Sequence, residues 1–108
     1  MAVKEKDFTI TAPSWLHAGD VTLRVKNQGP VRHELILVRW GLGTLPLRSD
    51  GVTANEETLA PLTVETLEPA PAGALREVRI HLAPGIYQLF CNMNGHYRAG
   101  MHTQLTVY

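Results

Sequence analysis

A chain of 108 residues has the length of one domain with a single core, and 44% hydrophobic against 19% charged residues places it far from disordered segments. Ten basic residues balance ten acidic ones in scattered short groups such as Lys4-Glu5-Lys6-Asp7, which excludes an electrostatic footprint for nucleic acid or an anionic membrane. The longest apolar stretches, such as Leu35 to Val38, are too short to span a bilayer, and Met1 to Asp7 is too charged for a signal peptide. Any targeting or anchoring segment is therefore expected outside this sequence.

In chain order, Phe8 and Ile10 alternate with Asp7, Thr9 and Thr11, predicting a first strand with Phe8 and Ile10 on one face. Pro13 and the turn Ala18-Gly19-Asp20 separate it from a second, in which Val21, Leu23 and Val25 face inward and Thr22, Arg24 and Lys26 outward. After the turn Asn27-Gln28-Gly29-Pro30 comes His33 to Arg39, with His33, Leu35 and Leu37 on one face and Glu34, Ile36 and Val38 on the other. Both of its faces are expected to be partly covered.

Residues Gly41 to Ala74, rich in Pro, Gly, Leu and Ala, form a long connection with one helix opening at the N-cap Asn55. Glu56 and Glu57 suit its first turn, Leu59, Leu62 and Leu67 are candidates to face a sheet, and Pro61 limits or kinks it. Val78, Ile80 and Leu82 then alternate with Glu77, Arg79 and His81, and Pro84-Gly85 turns the chain into Ile86 to Cys91. Tyr87, just past that turn, is placed to send its hydroxyl back to nearby backbone at a sandwich corner. Thr103, Leu105 and Val107 close the chain as an inward face. These elements predict an all-β protein, a Greek-key β-sandwich with a short helix in the long middle connection, forming one domain over residues 1–108.

The run from Cys91 to Met101 carries the chemistry. Cys91, His96 and Met101 offer thiolate, imidazole and thioether at five-residue intervals, with Gly95 and Gly100 permitting the tight turns a loop around one ion needs. Two histidines, one thiolate and a distant methionine make the blue-copper donor pattern. His33, on the face of Leu35 and Leu37, is the candidate for the second imidazole. His17, His81 and His102 read as solvated, and Met93 competes with Met101 as axial donor but sits only two residues from Cys91. With one cysteine in the chain, an internal disulfide and a dinuclear copper centre are both excluded. Without a metal, Cys91 would be a buried apolar residue of a plain β-sandwich interaction domain.

The pattern Pro84-Gly85-x-Tyr87-x-x-x-Cys91, followed by Gly95-His96 and Gly100-Met101, resembles the carboxy-terminal copper loop of cupredoxins, and Asn27 to His33-Glu34 resembles their first-histidine motif. The gaps of four residues between Cys and His and between His and Met look most like the rusticyanin, auracyanin and sulfocyanin members. The resemblance implies His33, Cys91 and His96 as equatorial ligands and Met101 as the axial ligand of one type 1 copper ion. It also implies electron transfer rather than enzyme activity, through an exposed His96 edge ringed by Met93, Tyr97, Ala99 and Pro30. The implied protein is a monomer serving redox partners of the cytochrome or copper oxidase or reductase class. It would be periplasmic or otherwise extracytoplasmic, soluble or held by an anchor outside this sequence. Arg98 would favour an acidic patch on the partner. The alternative is a module that delivers or stores copper. The sequence departs from the family at Glu34, where plastocyanin and azurin have asparagine, and at Asn94, where related loops often have proline; any non-proline residue at 34 can still offer its amide to the thiolate.

Overall fold

The structure, a computed structural model, describes residues 1–108. Nine strands build two sheets: β1 (Ala2–Lys6), β2 (Thr9–Thr11), β3 (Trp15–Leu16), β4 (Gly19–Asn27), β5 (His33–Arg39), β6 (Thr63–Ala70), β7 (Leu75–Leu82), β8 (Gly85–Phe90) and β9 (His102–Val107). One sheet runs β2, β1, β4, β7 and the other β3, β9, β8, β5, β6. β1 pairs parallel with β4 and β3 parallel with β9, while the other neighbours are antiparallel. The two layers form the expected Greek-key β-sandwich.

Period-two alternation explains the packing. Leu23 and Val25 of β4, Ile80 and Leu82 of β7, Leu35 and Leu37 of β5, and Tyr87 and Leu89 of β8 meet in one core between the sheets. The opposite face of β5, Ile36 and Val38, joins Phe90, Leu45, Ala54 and Leu59 in a second cluster under the long connection. That connection covers the outer face of the sheet, so β5 is buried on both sides as its sequence predicts. Tyr87 donates its hydroxyl to Ala83 O at 2.7 Å, closing the sandwich corner.

Four local expectations are corrected. A strand at Ala2–Lys6 lies within the charged start of the chain, because only Val3 and Glu5 turn inward and the rest of its residues face solvent. Phe8 is not an inward strand residue: it turns the chain between β1 and β2 at φ 58° and is 42% exposed. The helix at Asn55 forms as α1 (Glu56–Leu59), with Asn55 Oδ1 accepting from Thr58 N at 3.0 Å, and passes at Pro61 into a single 3-10 turn. Leu59 is buried, but Leu62 lies at the end of that turn, 39% exposed. The chain then enters β6, an edge strand absent from the sequence reading; its half-buried face is Thr63, Glu65 and Leu67, so no apolar alternation marks it.

Glu5 points into this interior with no exposed surface, and Arg76 of β7 is its partner. One Arg76 amino group donates to Glu5 Oε1 at 2.8 Å and to His33 O at 3.4 Å, the other to Glu68 O at 2.7 Å. One side chain thus ties β1, β6 and the start of β5 to β7.

Candidate metal centre

Three strand ends meet at one end of the five-stranded sheet. β5 begins with His33, antiparallel to β8; β8 ends at Phe90, one residue before Cys91; and β9 starts one residue after Met101, antiparallel to β8. This topology brings together residues far apart in sequence. His33 Nδ1 lies 3.3 Å from His96 Nδ1, and Cys91 Sγ lies 3.4 Å from His96 Nδ1 and 4.0 Å from His33 Nδ1. His33 and Cys91 are fully buried and His96 is half-buried. Met101, with no exposed surface, packs in the same core as Cys91.

The segment between Cys91 and Met101 closes on itself through backbone bonds. Cys91 N donates to Met101 O at 3.1 Å, Met101 N to His96 O at 3.1 Å, and His96 N to Met93 O at 2.9 Å. Gly95 and Gly100 take φ values of 81° and 106°, which a side chain would strain, so the turns predicted at these two residues are present. Tyr97 is the exception to the expected rim: its ring packs on Phe90 and His102 and its hydroxyl accepts from Leu45 N at 3.0 Å, leaving it buried. A tyrosine whose hydroxyl finds a backbone partner packs inward with the apolar cluster.

Asn92 anchors the loop to the long connection, accepting from Ala54 N at 2.7 Å and donating to Ala54 O at 3.0 Å and Glu56 at 2.7 Å. Glu34 accepts from Asn92 N at 3.0 Å, and burial raises its carboxyl above the usual range. Glu34 thus supports the loop. On the upstream side, Asn27 holds the turn before His33, donating to Val31 O at 3.0 Å and Ala70 O at 2.9 Å and accepting from Gly29 N at 2.8 Å. Phe8 covers the site from the other sheet, its ring centroid 5.1 Å from that of His96. Asn92 and Phe8 carry no sequence signal for these roles, since each depends on partners at least 36 residues away.

Burial disfavours the charged forms of the Cys91 thiol and the His33 imidazole. Burial pushes the Cys91 thiol up to about 11, opposed by the backbone amides of Met93 and Glu34. Burial and the neighbouring His96 lower the His33 pKa, against the pull of Asp7. A thiol held this way is no ready nucleophile. Donors about 2.0 to 2.3 Å from a shared ion in a trigonal plane lie roughly 3.5 to 3.8 Å from one another. The observed separations, 3.3, 3.4 and 4.0 Å, bracket that range. A soft thiolate with two imidazoles and a nearby thioether fits one type 1 copper ion.

No protein-family model matches the sequence, and no curated protein matches it. Solved structures do. The chain is similar to auracyanin B at 26% identity, covering 100% of this chain and 87% of that one with a TM-score of 0.72. It is similar to dithionite-reduced auracyanin from the photosynthetic bacterium Roseiflexus castenholzii at 17% identity, with 99% and 94% coverage and a TM-score of 0.73. Rusticyanin from Thiobacillus ferrooxidans superposes at 14% identity, with 99% and 76% coverage and a TM-score of 0.66. The fold is the cupredoxin fold, and the donor set gathered at its end is that of a type 1 copper site. Within that class the likeness is to auracyanins and rusticyanin, the members whose loop spacing the sequence resembles.

Proposed function

We propose that this protein is an electron carrier, not an enzyme, holding one copper ion through His33, Cys91 and His96 as equatorial donors and Met101 as the axial donor. The observation that carries the reading is the convergence of two Nδ1 atoms and one Sγ within 4.8 Å of one another. Copper bound there supplies a one-electron Cu(I)/Cu(II) couple. The chain contributes rigidity: one donor begins a central strand, another follows directly on its neighbour, and the intervening loop is cross-linked by its own backbone. Such a frame resists rearrangement between oxidation states. The amides of Glu34 and Met93 at the sulfur tune the thiolate, and the buried surroundings keep water away.

His96, the half-buried member of the set, offers the path to a partner. Phe8, whose ring meets that of His96, is exposed, as are Pro30, Val31 and Ala99, and Met93 is half-buried, so the docking rim they would form is mainly apolar. Arg98 adds one positive charge, held in place by a bond of 3.2 Å to Gly51 O. With a redox partner carrying an acidic patch, of the cytochrome or copper oxidase or reductase class, Arg98→Glu is expected to slow electron exchange on the order of tenfold at low salt. The difference should shrink as salt rises. Stopped-flow rates across ionic strength check this; unchanged rates would remove Arg98 from the docking surface. No helix is long and apolar enough to cross a membrane. An extracytoplasmic setting is the one the resemblance favours.

Copper retention tests the function itself. The copper-loaded protein is taken through repeated reduction and oxidation in the presence of a copper-accepting apo-protein. An electron carrier exchanges electrons with small redox probes and keeps its metal. Loss of copper to the acceptor on reduction, with slow electron exchange, would instead make the chain a delivery module.

A further inference from the structure

Two buried polar atoms at the back of the site face one another without a hydrogen bond. Nδ1 of His33 turns toward Cys91 and His96, and the ring's other nitrogen, Nε2, lies 3.7 Å from Asp7 Oδ1. Both atoms are shut off from solvent and neither has a hydrogen-bond partner. An unpaired buried N–H costs roughly 1–3 kcal/mol, and so does an unpaired buried acceptor. A shift of less than about 1 Å would bring the pair to ordinary hydrogen-bond distance and satisfy both.

The turn between β1 and β2 delivers Asp7 to this position. Asp7 N donates to Gly29 O at 3.0 Å, which ties it to the turn preceding His33, and Thr9 Oγ1 donates to Asp7 O at 3.3 Å. Phe8 reverses the chain at φ 58°, a conformation uncommon for a bulky residue and tolerated where the surroundings over-determine it. The same reversal sets the Phe8 ring against His96. One strained turn from the opposite sheet therefore reaches both histidines.

We infer that Asp7 is the positioning residue of His33: its carboxylate accepts a hydrogen bond from Nε2–H and fixes the tautomer whose Nδ1 lone pair faces Cys91 and His96. The inference rests on reading His33 as a metal ligand and adds what holds that ligand in register. A carboxylate on the far nitrogen makes the near one more basic, strengthening its grip on a divalent ion and favouring the more highly charged oxidation state. Removing the charge should weaken Cu(II) binding and raise the reduction potential.

Two variants separate the hydrogen bond from the charge. Asp7→Asn keeps an acceptor but loses the charge; Asp7→Ala loses both. In the metal-free protein, nitrogen NMR of His33 is expected to show the Nε2–H tautomer in the parent chain and in Asp7→Asn, and a mixture in Asp7→Ala. Chelator competition is expected to show Cu(II) affinity falling about 10–100-fold in either variant, with the visible band retained and the potential higher. Nε2 found bare in the parent chain, or a tautomer, affinity and potential indifferent to both substitutions, would overturn the assignment. If the parent chain takes up no copper, the ligand reading fails, and the metal-free NMR still decides whether Asp7 holds His33.

Discussion

Replacing Arg76 with alanine is expected to destabilise the metal-free protein by about 3–5 kcal/mol at pH 8. Glu5 has no exposed surface and its partner guanidinium is 2.8 Å away. Removing the cation strands a carboxylate in the core and also frees Glu68 O and His33 O, which Arg76 serves. The penalty should depend on pH. Burial raises the Glu5 carboxyl from 4.5 to about 7, with Arg76 opposing the rise. The folded chain therefore keeps this proton to higher pH than the unfolded chain does, so Glu5 lowers stability progressively as pH climbs from 4.5 to 7 and no further above it. The total is about 3 kcal/mol. Glu5→Gln should flatten that slope. Urea denaturation of the parent, Arg76→Ala and Glu5→Gln at pH 5 and pH 8 checks both statements. A neutral Arg76→Ala, or a slope that survives Glu5→Gln, would show that the pair does not carry this burden.

Cys91→Ser is expected to abolish the intense thiolate-to-copper absorption completely while leaving the fold in place. Serine is close in volume, and the Glu34 and Met93 amides that face the sulfur can bond to a hydroxyl. Burying that hydroxyl in an apolar core should cost about 1–3 kcal/mol, which denaturation would register. The donor chemistry changes far more, because a serine hydroxyl keeps its proton at neutral pH and oxygen is a hard ligand for Cu(I). A folded Cys91→Ser variant that retained the band would remove the cysteine from the site.

Residues whose environment is set by their own strand were legible in the sequence. Leu23, Val25, Leu35, Leu37, Ile80 and Leu82 alternate with polar neighbours and occupy the core, and Tyr87 closes its corner. The convergence of His33, Cys91 and His96 followed from spacing and parity, since a strand start, a strand end and a glycine-bearing loop constrain where each donor can go. What escaped detection depends on distant partners. β1 was hidden because its inward position 5 is a glutamate made tolerable by Arg76, 71 residues away. β6 was hidden because an edge strand with a half-exposed face needs no alternation. Tyr97 was misplaced because its partner is a backbone amide of the long connection, and Phe8 because a positive φ turned it out of the strand pattern.

The most direct test is to add one equivalent of Cu(II) to the metal-free protein and record its visible spectrum. An intense thiolate-to-copper band, saturating at one ion per chain, bleached by dithionite and restored on reoxidation, is the predicted result. A protein that binds no copper, or binds it without that band, would contradict the assignment of Cys91, His33 and His96 to a single type 1 centre.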